Sequence, residues 1–169
     1  VACVNPEVLN IFADKVKTYS AFRELDLAAP QVALVNDRDE LKGELIMRRE
    51  LKQEVVVKPP SERGGRGVVV IRHDLHGIVR SSDRREVHCG ESWILDKQNA
   101  AIWEELFPKF PVMVMERLIE PVYDLDLLAW DGKPIYVVPR KRVDSGAPNK
   151  GHKIVFDQRL IELGKKLIE

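Results

Sequence analysis

The sequence predicts an α+β fold. Apolar residues recur at helical spacing near the start and at the end of the chain. Runs of β-branched residues fill the middle, broken by glycine, proline and Asp-Gly turn signals in the manner of hairpins. Neither GxGxxG nor GxxxxGK[ST] follows a strand, so the two common nucleotide fingerprints of doubly wound sheets are missing.

Asn5-Pro6-Glu7 offers an N-cap, a first-turn proline and a first-turn acid. Leu9, Phe12, Ala13, Val16, Tyr19 and Phe22 then mark one face of a single helix running to about Leu25. Pro30 ends the connection, residues 32–35 form a short strand, and Asp37 caps a second helix carried by Leu41, Leu45 and Ile46. Residues 54–58, EVVVK, read as a strand whose consecutive valines fit burial on both faces. A loop with two prolines and two glycines follows, and residues 67–72, GVVVIR, return as the second arm of a hairpin. Residues 73–95 are polar and predict irregular structure. Residues 96–107 predict a helix closed by Pro108. Strands are predicted over 112–118, 123–130 and 135–142, with Asp131-Gly132 turning the last pair, and a final helix over 157–169.

The chain has 169 residues, enough for one domain or two small ones, and its 44% hydrophobic content can build a core. Its formal net charge is zero, which argues against a general nucleic-acid coat or a polybasic membrane binder. No apolar stretch approaches the roughly 20 residues of a membrane span. The start lacks the layout of a signal peptide and an initiator Met, so the expectation is a processed or excised piece in a reducing cytoplasm. Cys3 and Cys89 lie far apart and make no disulfide framework. His73, His76, His88 and Cys89 are spaced too loosely for a structural zinc site, and a solvated loop is the better reading.

Three segments could carry chemistry. Lys58 stands where a strand enters the loop containing Gly64 and Gly65, with Arg63 and Arg66 flanking the glycines. Glycine frees backbone N–H groups to approach an anion, and a lysine at the strand end supplies charge for a polyphosphate. The same residues also suit a plain hairpin with a basic tip. Glu116, Arg117, Leu118 and Ile119 follow an apolar strand and could act as a hinge reading an adenine edge through the backbone, or be an ordinary strand end. Asp124 and Asp126 share a face of one strand and Arg140 and Arg142 a face of the next, fitting either cross-strand pairs or a phosphate-facing cation row.

Four stretches taken together resemble an ATP-grasp domain: DKVKTYSAFRELDLAAP at 14–30, VVVKPPSERGGRGVVVIR at 55–72, VMERLIEPVYDLDLLAWDGKPIYVVPRKR at 114–142, and the later Gly146 and Gly151. The resemblance is to the carbamoyl-phosphate-synthase-like branch, large-subunit type. It implies two small α+β lobes clamping ATP, the first over residues 1–118 and the second, incomplete at its C-terminus, over 119–169. Lys15 and Lys58 match the family's two phosphate-contacting basic positions. Residues 61–67, with Ser61, Gly64 and Gly65, match the loop that closes over the phosphates. Glu116 to Ile119 match the adenine hinge, and Arg140 the basic residue near the transferred phosphate. Val122 stands where the family commonly has a ribose-binding glutamate, leaving Asp124 or Glu120 as substitutes.

The resemblance implies an ATP-dependent ligase that activates a small carboxylate as an acyl phosphate for attack by an amine or similar nucleophile. Magnesium is the expected companion of ATP, with its ligands beyond residue 169, and the chain alone is then an inactive fragment of a longer ligase. Two other functions remain open. One is a non-catalytic nucleotide-binding module of ATP-grasp type. The other is a phosphate or nucleic-acid binder using Arg140, Lys141, Arg142, Lys150 and Lys153 as a basic strip.

Overall fold

The computed structural model describes residues 5–62, 67–81, 86–96, 100–144 and 150–168. The chain forms two compact units, Val1–Arg117 and Leu118–Glu169.

The first unit opens with two helices, α1 (Pro6–Ala13) and α2 (Lys15–Glu24), where the apolar spacing predicts one. Asp14 makes the break. Its backbone is extended, and its carboxylate accepts hydrogen bonds from the Val16 and Lys17 amides at 2.8 and 3.2 Å. An aspartate in this position satisfies donors that a continuous helix would have paired with its own carbonyls. Apolar spacing does not register such a cap. Asp37 caps α3 (Arg38–Glu50) in the same way, through the Asp39 and Glu40 amides.

Six strands form one sheet in the order β1 (Val32–Val35), β6 (Val112–Glu116), β2 (Val55–Lys58), β3 (Val68–Arg72), β5 (Glu86–Gly90), β4 (Ile78–Arg80). All neighbours are antiparallel except β3 and β5, which run parallel. The segment 73–95 is therefore not irregular: it holds β4, β5 and a short helix α4 (Glu91–Leu95). These elements are too short and polar to show a period, and their strands form because β3 offers an open edge. Asp96 closes α4 instead of opening a helix. The next helix, α5, covers Ala100–Leu106. Strand β6 ends at Glu116 and not at Leu118.

One face of this sheet presents Val55, Val57, Val69, Ile71, Val112 and Val114 to Leu41 and Leu45 of α3 and to Ile94, Trp103 and Phe107. Alternation puts Val56, Val70, Met113 and Met115 on the opposite face, and three of these four are buried as well. In β2 itself Val55 and Val57 are buried on one face and Val56 is half-buried on the other, short of the burial on both faces that EVVVK implies.

The second unit is a three-stranded antiparallel sheet, β7 (Tyr123–Trp130), β8 (Lys133–Arg142) and β9 (His152–Ile154), with α6 (Gln158–Lys166) on one face. Strand β8 starts two residues before the expected Ile135, and β9 has no counterpart in the sequence reading. Asp131 and Gly132 both have positive φ, 49° and 68°, the signature of the tight turn that Asp-Gly favours. Helix α6 lies close on the sheet at Gly164. A Cβ there would fall 2.5 Å from Val137 Cγ1 and 3.0 Å from Leu127 Cδ2. Gly164→Ala is therefore expected to destabilise this unit by about 1–2 kcal/mol, overpacking outweighing the better helix propensity of alanine. A denaturation midpoint that stays level or rises would show that the helix has room to move away.

Candidate functional site

Strand β2 is central in its sheet, and Lys58 is its last residue. The register places Lys58 opposite Met113 and Met113 opposite Leu34, so the three make a row across β2, β6 and β1 on the face away from the main core. Burial in this row lowers the Lys58 ammonium below the ordinary lysine value. Its partner is Tyr19 of α2. The hydroxyl accepts a hydrogen bond from Nζ at 3.4 Å, and the ammonium lies 5.5 Å from the ring centroid. Burial also raises the Tyr19 phenol. Among the described residues no carboxylate comes within ion-pair distance of Lys58. A half-buried cation without an anion is costly in isolation and becomes favourable when an anion arrives.

Lys58 opens on a cavity of about 850 Å³ contained in the first unit. The cavity lies at the end of the sheet, under residues 59–62 on one side and 106–112 on the other. Its wall is mainly apolar, with Leu34, Phe107 and Phe110 among the contributors. Gly67 closes the loop side with φ of 70°, and a Cβ there would come within 3.1 Å of the Pro59 ring. Ser61 lines the cavity, whereas Arg63, Gly64, Gly65 and Arg66, like the later Gly146, lie outside the described residues.

Lys15 has a more local attachment than its expected role. Its amide donates to the Pro60 carbonyl at 3.1 Å. Its ammonium donates to the carbonyls of Pro60 at 3.1 Å, of Pro59 at 3.5 Å, and of Glu62. The first residue of α2 thus holds the loop that follows Lys58. Glu116, at the end of β6, accepts from the Gln31 amide at 3.4 Å. Arg117 donates to Glu54 Oε2 at 2.6 Å and ends the first unit, while Leu118 and Ile119 begin the second and are exposed.

In the second unit the charged residues of β7 and β8 pair with each other. Arg140 Nη2 donates to Asp126 at 2.7 Å. Arg142 donates twice to Asp124, from Nε and Nη2, each at 2.8 Å. His152 of β9 adds a third contact to Asp124, at 2.8 Å from Nε2. Sequence reasoning missed His152 because nothing marks β9 as a strand. With Lys150 also bound to Asp144 at 2.8 Å, three of the five cations of the basic strip, Arg140, Arg142 and Lys150, have carboxylate partners.

Arg142, with burial opposing it and His152 helping, holds the Asp124 carboxyl down at about 2 against an ordinary 3.8. A carboxyl with a lowered folded-state pKa contributes stability above 3.8 and loses it as pH falls toward about 2. Asp124→Asn is expected to lack that acid-dependent loss. Thermal melts across the same pH steps check this, and parallel curves for the two proteins would contradict it.

The remaining metal-like residues do other work. His73 Nδ1 sits 3.0 Å from the Glu91 carboxylate, and Cys89 is buried in the core, its thiol pushed up to about 12 by desolvation. Among the described residues there is no group of three or more His, Cys, Asp or Glu placed to hold a metal ion. Nor is any helix among them long and apolar enough to cross a membrane.

The α+β fold is similar to that of a solved ligase chain. D-alanyl-alanine synthetase A from Vibrio cholerae O1 biovar eltor aligns over 89% of this chain and 44% of its own, at 12% identity and a TM-score of 0.53. D-alanine–D-alanine ligase from Bacillus anthracis aligns over 94% of this chain and 47% of its own, at 19% identity and a TM-score of 0.48. This chain thus spans less than half the length of either. No family model matches the sequence, and no curated protein matches it.

Proposed function

We propose that this chain is the ATP-binding part of an ATP-grasp ligase that activates a carboxylate as an acyl phosphate for attack by an amine or similar nucleophile. The observation that carries the reading is Lys58. It is a half-buried ammonium at the end of a central strand, facing a cavity, with a tyrosine hydroxyl and no carboxylate for company among the described residues. Such a cation supports a phosphate-binding role in this reading. The order of the four sequence stretches supports the carbamoyl-phosphate-synthase-like branch.

In this reading Lys58 takes the phosphates directly. Lys15 positions the loop of Ser61, Gly64 and Gly65, and reaches phosphate by exchanging its carbonyl partners. Glu116, Arg117, Leu118 and Ile119 offer backbone groups to adenine. Arg140 serves the transferred phosphate in partnership with Asp126. Asp124, already engaged by Arg142 and His152, has only its remaining lone pairs for a ribose hydroxyl. The chemistry is one displacement followed by another. A carboxylate oxygen bonds to the γ-phosphorus as the bond to the β,γ-bridging oxygen breaks and ADP leaves. The nucleophile then attacks the acyl carbon and phosphate departs. Magnesium normally accompanies ATP in this chemistry, but the described residues do not fit a magnesium cage. A cytoplasmic setting belongs to this reading because the ATP pool is there.

Isothermal titration with ATP, ADP and a non-hydrolysable ATP analogue tests the reading. All three are expected to bind at one site per chain. Absence of binding by every nucleotide would overturn it.

A further inference from the structure

The cavity beside Lys58 is larger and more apolar than a phosphate needs. We propose that it seats the apolar body of the carboxylic acid substrate, so that the acid is an aliphatic or aromatic monocarboxylate and not a polar amino acid. The inference rests on the ligase reading above and specifies its substrate class.

A phosphate tail is compact and polar, and groups that hold it are donors. Here the lining shared with Lys58 includes Leu34, Leu106, Phe107, Phe110 and Val112 together with four prolines, and it is mainly apolar. The volume of about 850 Å³ lies within the usual range for a small-molecule site of roughly 300–1,000 Å³. Such a site is typically apolar with a few placed polar groups that fix orientation. Lys58 is the group that fixes orientation here. Asp14 also lines the cavity, but its carboxylate is committed to the first amides of α2. The lining carries three lysines, Lys17, Lys58 and Lys109, against two carboxylates, Asp14 and Glu62, so its charge favours an anionic head.

The placement also fits the reaction. A carboxylate and a terminal phosphate repel each other as they approach, and a cation at their meeting point removes that penalty. Lys58 lines the apolar cavity and stands at the start of the loop assigned to phosphate. An acid with its chain in the cavity and its head at Nζ would present an oxygen where the phosphoryl group arrives.

The test is a titration of the isotope-labelled 169-residue chain with acetate, butyrate, hexanoate and hexanamide, followed by amide chemical shifts. Affinity is expected to rise up to about fourfold per added methylene, the fold-change for burying one CH₂. Hexanoate is expected to bind at least tenfold tighter than hexanamide, and the shifts to cluster on residues 57–62 and 106–112. Leu34→Gln, at a half-exposed position that tolerates a polar side chain, is expected to flatten the chain-length series. Lys58→Met is expected to erase the preference for acid over amide. Equal binding of acetate and hexanoate, equal binding of acid and amide, or shifts centred on the exposed apolar residues of β7 and β8 would each overturn the proposal. A parallel ADP titration separates the two claims. ADP binding without chain-length dependence overturns this inference alone. Chain-length dependence without ADP binding overturns the ligase reading and leaves the acid site standing.

Discussion

Lys58→Met is expected to weaken ADP binding by roughly ten- to a hundredfold, the effect of losing one charge-assisted hydrogen bond to an anion, while the protein stays folded. The fold survives because the ammonium contributes nothing to the core that a methionine of similar length cannot. Its only polar partner among the described residues is the Tyr19 hydroxyl, at 3.4 Å. Stability should shift in an informative direction. The folded-state pKa of Lys58 lies below the ordinary 10.5, so the unfolded chain binds the proton more tightly. The charged lysine therefore opposes folding at neutral pH. That penalty fades as pH rises through the lowered folded value toward 10.5. The methionine variant is expected to be at least as stable as the parent at pH 7, with the parent gaining on it in alkali. Calorimetric titration gives the affinity and denaturant melts at two pH values give the stability. Unchanged ADP affinity in a folded variant would remove Lys58 from the phosphate site.

The largest stability effect is expected at Trp103. Trp103→Ala should cost about 3–5 kcal/mol, the usual range for deleting a large aromatic from a core. Trp103 is 2% exposed and packs against Phe107 with ring centroids 5.6 Å apart and the planes tilted by 53°. Its indole N–H donates to the Ile94 carbonyl at 2.5 Å. The guanidinium of Arg38 and the ammonium of Lys42 lie over the ring, 5.0 and 5.7 Å from its centroid. Alanine would leave a cavity, orphan a buried carbonyl and strip two α3 cations of their aromatic partner. Trp103→Phe should lose less, because a ring remains while the N–H is gone. Urea melts of both variants resolve the difference. A loss below about 1 kcal/mol for the alanine variant would mean that this side of the sheet is packed more loosely than the contacts indicate.

Local signals were legible wherever a side chain acts on its own neighbourhood. Asp37 caps the helix that follows, Asp131-Gly132 makes its turn, and the valines of 55–57 form a central strand. Asp14 shows the limit of periodicity. Leu9, Phe12, Val16 and Tyr19 keep helical spacing across it, yet its carboxylate captures two amides and divides the helix. Strands β4, β5 and β9 have three to five residues each, and their pairing is decided by the edge beside them and not by their own pattern. The same division applies to the site. A lysine at a strand end can be read from spacing. Its contact with Tyr19, the grip of Lys15 on residues 59–62 and the meeting of His152 with Asp124 join positions far apart in the chain, which no local rule connects. The cross-strand pairing of the β7 and β8 charges was one of two readings, and the structure supplies the ion pairs: Asp124 joins Arg142, and Asp126 joins Arg140.

Strand β6 has a consequence for how the protein is made. It lies between β1 and β2, although both precede it by a long stretch of chain. During synthesis from the N-terminus, β1 and β2 emerge with no partner between them. The sheet cannot close until residue 116 has left the ribosome. Until then β2 has one neighbour, β3, and its other edge carries bare backbone donors and acceptors beside exposed valines. Closing this gap brings distant segments together before their contacts are rewarded, so folding of the first unit is slow compared with the local hairpin of β7 and β8. The nascent chain thus passes through an interval in which the edge of β2 is open to pairing with another chain.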